Sequence, residues 1–320
     1  MDSALSPVVS INPTSENTGM RITNNLATQL AISNLSMARE HLDSAQTKVL
    51  TGRSFQQASE NPTAANGVMQ SESQINALSQ YTRNVGAAQR RVSSEDSALS
   101  QLTDLLTRAK ELAMSQATGT ASAQTQAVTG AEVNQLLAQA VLISNTMDGN
   151  DFLFGGNNST TQPFSVNATG ASYTFSVAAV PPTGARQIEI NKGQRIAAAH
   201  DGVQVFGDAN SGILKTLQDL AGALNGGSTA GVAAALPTID TSLSQLQSLI
   251  GETGARANTL DITKSNISAL SSQLATFKST LQDVDLEAAI TELVSRQTAY
   301  QAALSATSRV LNLSITSYMQ

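Results

Sequence analysis

The chain has 320 residues, enough for about two domains, with 41% hydrophobic residues, 3% aromatics, no tryptophan and 13% charged residues, against the roughly 25% charged of an average globular protein. Its core must be built from aliphatic and small side chains, and a net charge of -6 with a pI near 4.9 argues against nucleic acid, which is bound through clustered lysine and arginine. The absence of cysteine removes thiolate metal sites, iron–sulfur clusters, disulfides and a cysteine nucleophile together.

Residues 1–19 have neither a basic start nor the apolar run of a secretory leader, so no cleaved signal peptide is expected. No stretch approaches the roughly 20 apolar residues of a membrane span, so membrane insertion is not expected either. The first stripe is Leu35, Ala38, Leu42, Ala45 and Val49, at helical spacing. Gly52 reads as the helix stop, 53–61 as a loop, and Asn61-Pro62 as a cap followed by proline in the first turn of the next helix. That helix carries the strongest signal in the chain. Leu78, Val85, Val92, Leu99, Leu106 and Ala113 recur every seven residues, interleaved with Tyr81, Ala88, Glu95, Leu102 and Ala109, an a/d seam over five heptads. Glu95 is its only charged member, a residue type that at such a position sets register or partner choice.

The pattern then changes to short β-like runs at 164–166, 173–177, 187–190 and 203–206, separated by turn chemistry at Thr169-Gly170, Lys192-Gly193 and Asp201-Gly202. Heptads return with Leu260, Ile267, Leu274 and Leu281 at one position and Leu270, Phe277 and Val284 at the other. The phase fails at Asp283-Val284-Asp285, and a new stripe follows at Ile290, Leu293, Tyr300, Leu304 and Leu311, so the helix breaks or its apolar face rotates there. The terminal stripes are narrow and bordered by serine, threonine, asparagine and glutamine. An isolated subunit would bury little apolar area with them, which favours neighbouring partners; a self-contained antiparallel bundle fits the same periodicity.

Chemistry is sparse. His41 lies beside its stripe between Glu40 and Asp43 and reads as a solvated helix residue, while His200, before Asp201-Gly202, reads as a turn residue. Asp148-Gly149-Asn150-Asp151 departs from a calcium loop at Phe152. No phosphate-binding glycine loop or G-x-S-x-G elbow is present. Catalytic residues, cofactors and metals are therefore not expected.

Several segments together resemble the flagellin superfamily. Met20-Arg21-Ile22-Thr23-Asn24-Asn25 is similar to its start, and Leu50-Thr51-Gly52-Arg53 with Ser59, Asn61-Pro62 and Ala64-Ala65 to its first loop; Gln80-Tyr81-Thr82-Arg83-Asn84 continues the likeness. Asp148-Gly149-Asn150 with Phe152-Leu153-Phe154-Gly155-Gly156, and the closing run from Asp283 to Leu293 with Gln297-Thr298-Ala299-Tyr300-Gln301, resemble the hook-associated branch at the hook–filament junction more than filament flagellins. The resemblance implies a mainly α, flagellin-like fold in which N- and C-terminal segments form a long helical coiled-coil rod around an inserted small β domain. It implies the divisions 1–19 (an extra leader, with Met20 favoured as the true start), 20–60 (assembly helix), 61–156 (rod), 157–206 (β-rich outer domain), 207–284 (returning rod) and 285–320 (assembly helix). The partners implied are a hook-side junction protein, flagellin, neighbouring copies in a ring and a cytoplasmic export chaperone on the C-terminal helices, at a secreted location on the bacterial flagellum. The candidate interface residues are Leu35, Leu42, Val49, Ile290, Leu293, Tyr300, Leu304 and Leu311.

Overall fold

The computed structural model describes residues 17–118, 122–169 and 172–318; the side chains of 17–25, 172–173 and 311–318 are not part of that description, and residues 1–16 of the expected leader lie outside it. The chain divides into two compact units, Met1–Ser73 with Leu274–Gln320, and Gln74–Gln273. Its helices are α1 (Asn17–Thr51), α2 (Pro62–Gln116), α3 (Ala123–Ser144), α4 (Gly202–Phe206), α5 (Ile213–Asn225), α6 (Thr229–Gln282) and α7 (Leu286–Tyr318). Among the described residues six strands lie between α3 and α4: β1 (Met147–Asp148), β2 (Asp151–Phe152), β3 (Phe164–Thr169), β4 (Ser172–Val177), β5 (Gln187–Asn191) and β6 (Gln194–Ala197). The fold is mainly α with a small strand-containing insert.

In the first unit, α1 ends where Gly52 takes φ +67°, a conformation that costs glycine little and other residues more. The chain then crosses to the break after α6. Ser54 N–H donates to Gln282 O at 2.7 Å, Val284 N–H donates to Gly52 O at 2.9 Å, and the main chains of Arg53 and Asp283 form an isolated antiparallel β-bridge. Phe55 is buried with Ala64, Ala65 and Val68 against Leu281. Asn61 Oδ1 accepts the Ala64 N–H at 3.1 Å and Pro62 is the first helical residue of α2, as the cap reading anticipates. After α6 stops at Gln282, Asp285 Oδ1 accepts from the N–H groups of Glu287 (3.0 Å) and Ala288 (3.2 Å), so the phase failure at 283–285 is a helix break with a fresh cap.

The second unit is built on the α2 seam. Val85, Ala88, Glu95, Leu99, Leu102, Leu106, Ala109 and Ala113 are closed to solvent, because a seven-residue repeat keeps one face of the helix in register with its neighbours. Leu137 of α3, Leu214, Leu217, Leu220 and Leu224 of α5, and Val232, Ile239 and Leu246 of α6 complete the core. Each such side chain contributes about 1.5–3 kcal/mol by leaving water. The strands form three separate antiparallel ribbons, β1–β2, β3–β4 and β5–β6. Lys192-Gly193 turns the last of these, with Gly193 at φ +73°.

The aromatics concentrate where the insert meets the helices. Phe154 stands edge-on to Phe206 with centroids 5.1 Å apart, and Phe164 lies 5.6 Å from the same ring; all three are buried. Such pairs add about 0.5–1.5 kcal/mol beyond their area. This explains the Phe152-Leu153-Phe154-Gly155-Gly156 segment physically: Phe154 enters the core, and Gly156, at φ +63°, passes so close to Thr183 that a Cβ would stand 2.5 Å from its carbonyl oxygen.

Two sequence expectations are corrected. Residues 203–206 are helix α4 and not a strand: Asp201 accepts the Gln204 N–H at 2.8 Å as its N-cap, and the strand pairing with β5 is β6. The alternation of Val203 and Val205 imitates a strand, but the capping aspartate before it starts a helix. His200, read as a turn residue, is instead buried and bonded to two helices.

Candidate assembly interface

The stripe of α1 meets α7 within the chain. Ala45 and Ala289 are buried, as is Thr307, whose hydroxyl donates to Ala31 O at 3.4 Å, and Lys48 faces Glu292 at 3.8 Å. Leu35, Leu42 and Val49 on α1, and Leu293 and Tyr300 on α7, are half-buried. The pairing is narrow. Among the described residues Ala45 and Ala289 are the buried hydrophobic side chains of these two helices, so little area leaves water per turn.

Both helices keep a second apolar face in water. On α1 it is Leu26, Leu30 and Met37; on α7 it is Leu286, Ile290, Val294 and Leu304, with Ile290 47% and Leu304 50% exposed. Leu26, Leu30 and Met37 stand four and seven residues apart, and Ile290 and Leu304 two heptads apart, so each set repeats along one side of its helix. The eight candidate interface residues therefore divide. Five lie in the α1–α7 pairing, Ile290 and Leu304 lie on the open face, and the side chain of Leu311 is outside the described residues. The stripes alone carried no signal for this division, since a 3.5-residue repeat does not say whose helix it faces.

Where the chain changes from one helix to the next, the surface is electrostatically tied. Lys278 pairs with Glu72 at 2.6 Å, and this ammonium holds the Glu72 carboxyl below its ordinary pKa, with Arg53 adding a smaller pull. His41 is exposed on α1. Among the described residues, no three His, Cys, Asp or Glu side chains converge as a metal cage, and no helix is long and apolar enough to cross a membrane. The Asp148–Asp151 segment is a hairpin turn with Gly149 at φ +67°, and Asp151 accepts from Ser159 Oγ at 2.8 Å and Arg186 Nη1 at 2.5 Å.

Residues 22–159 match the bacterial flagellin N-terminal helical region and residues 236–319 the bacterial flagellin C-terminal helical region, together about two thirds of the chain. Flagellar hook-associated protein 3 of Escherichia coli is 35% identical over 117 residues; that match covers 36% of this chain and 37% of the relative's length. The solved flagellar hook-associated protein 3 of Legionella pneumophila superposes with a TM-score of 0.57 at 17% identity, over 67% of this chain and 98% of that one. A flagellar junction protein of the same organism gives 0.55 at 16% identity, over 68% and 99%. The likeness is thus to the hook-associated protein 3 type, in sequence over part of the chain and in fold over most of it.

Proposed function

The chain belongs to the flagellin family, and from that premise we propose that it is a structural subunit of the bacterial flagellum, the adaptor that joins the hook-side junction layer to the flagellin filament. The observation that carries the proposal is the open apolar face on each of two already paired terminal helices. A subunit that has spent one face on its own pairing and still exposes Leu26, Leu30, Met37, Ile290, Val294 and Leu304 has a surface suited to neighbours, because contiguous apolar patches on exposed helices mark interaction sites. Neighbouring copies of itself, the hook-side protein and flagellin are the partners this reading assigns. Export through the flagellar type III route, with a chaperone covering α7 beforehand, follows from it, since the same face must be kept from aggregating inside the cell. The role is structural and not catalytic.

Electron microscopy of cells lacking the protein tests this. Hooks without filaments are expected, with flagellin shed into the medium, and filaments of ordinary length on such cells would overturn the adaptor role. The second reading, that the chain is itself a filament flagellin, draws on the same two helical regions, which are those of flagellin. Purified protein seeded with filament fragments separates the two: long filaments made of this chain alone would favour the second.

A further inference from the structure

A closed ionic cluster inside the second unit belongs to neither reading. Glu95 of α2 has no exposed surface. Its Oε1 accepts two bonds from one residue, the main-chain N–H of His200 at 2.8 Å and the ring Nδ1 at 2.6 Å. With Glu95 as a carboxylate, that places a proton on Nδ1, because a carboxylate cannot donate. Nη1 of Arg256 also lies 3.4 Å from Nδ1, farther than Glu95 Oε1, whereas the other ring nitrogen is contested at nearly equal distances. Nε2 of His200 lies 2.8 Å from Nη2 of Arg256 and 3.0 Å from Oε2 of Glu252, so a donor that never deprotonates and an acceptor stand at the same atom. A bare Nε2 satisfies the arginine; a protonated Nε2 satisfies the glutamate and faces a like charge at Arg256.

We propose that His200 is a proton-operated lock: protonated, its Nε2–H donates to Glu252; neutral, its Nε2 accepts from Arg256; and the segment following β6 is held to α2 and α6 more firmly in the protonated state. The charges facing the ring support this from each element around it. From α2 come Glu95 and, behind it, Arg91, which is engaged with Asp148 at 3.5 Å and with Leu153 O at 3.2 Å. From α6 come Glu252 and Arg256, themselves 3.5 Å apart. From the ring's own segment comes Asp201, occupied by the N–H groups of Gly184 and Gln204. Glu95 Oε2 makes no hydrogen bond and has only Arg256 Nη1 at 4.0 Å. With His200 neutral, two carboxylates share one guanidinium, one of them wholly buried. Protonation balances the cluster.

The direction of the His200 pKa agrees. Burial lowers it, but the bonds to Glu95 and Glu252 outweigh burial and Arg256, and the result is above the ordinary value of 6.5. A folded pKa above the unfolded one means that the stabilisation is fully present below the unfolded pKa and is lost as pH rises through the folded value. The second unit therefore loosens on the alkaline side of about 6.5.

The full chain has two histidines, His41 and His200, so imidazole titration by nitrogen–carbon NMR reads each ring separately. In the wild type His200 is expected to titrate at higher pH in the folded chain than in urea, and above its midpoint to carry the remaining proton on Nδ1. Glu252→Gln should move the midpoint down and Arg256→Gln should move it up. Both positions reach solvent, and dispersed spectra report that each variant folds. The urea midpoint of the wild type should fall as pH rises through the titration, and in Glu252→Gln that dependence should shrink. Shifts of the same sign in both variants, a neutral ring protonated on Nε2, or an undiminished pH dependence in Glu252→Gln would overturn the lock.

Discussion

A carboxylate with no exposed surface, in a heptad seam otherwise filled by leucine, valine, alanine and one tyrosine, needs a partner beyond its own helix, since Arg91, one turn back on the same face, is engaged with Asp148 and Leu153 O. Glu95 finds His200, 105 residues away. An isolated buried charge costs several kcal/mol, and breaking a buried pair from one side typically costs about 3–5 kcal/mol because the other partner is left without compensation. Glu95→Ala strands both the His200 main-chain N–H and its Nδ1. Its expected effect is a loss of about 3 kcal/mol in urea unfolding followed by a probe in the second unit, whereas Glu95→Gln, which keeps an oxygen acceptor for the main-chain N–H, should lose less. Equal losses would mean that packing of the chain at this position matters and its charge does not. The sequence signal for this residue was its lone charge in the seam; the identity of the partner had none, because His200 is adjacent to a helix cap that locally reads as a turn.

At the scale of elements, the features that proved legible were those set by local rules. The α2 seam, the stop at Gly52, the Asn61-Pro62 start and the break at 283–285 each depend on residues within one or two turns, and all four occur where the spacing places them. The features that were not legible depend on tertiary context. Residues 203–206 alternate valine as a strand does and become α4 through Asp201. The three ribbons do not merge into one sheet, which no periodicity of a single strand encodes. The heptad positions Leu270 and Phe277 of α6 are exposed, although their spacing matches that of the buried Leu260 and Ile267. Likewise, the terminal stripes were readable as apolar faces, but which of them would be consumed by the α1–α7 pairing was not. A local rule also supports a local prediction. Asp285 satisfies two otherwise free N–H groups of α7, so Asp285→Ala should destabilise the start of that helix by about 1 kcal/mol. Faster amide exchange at Glu287 and Ala288, with the distant half of α7 unchanged, would register it; unchanged exchange at both amides would show that the cap contributes nothing.

For the whole molecule, the decisive quantity is the difference between the two faces of α1 and α7. Leu42 and Leu293 are half-buried in the pairing within the chain, whereas Ile290 and Leu304 remain about half exposed on the open side. A carboxylate introduced at Leu42 must be desolvated against α7 in the monomer itself, so Leu42→Asp should weaken the α1–α7 pairing before any assembly occurs. A carboxylate at Leu304 stays hydrated in the monomer, and surface changes of that kind usually alter stability by less than about 0.5 kcal/mol. It meets its cost only when a neighbour covers it, where an unpaired buried charge is strongly unfavourable. Leu304→Asp should therefore give a monomer with wild-type thermal unfolding that fails to support filaments on cells. Because a chaperone on α7 would contact the same face, the amount of variant in the culture supernatant must be measured beside the filaments. Secreted variant with bare hooks is the expected outcome and places the defect at docking; retained variant places it at export. Normal secretion with normal filaments would remove the open face of α7 from the interface and, with it, the observation on which the adaptor role rests.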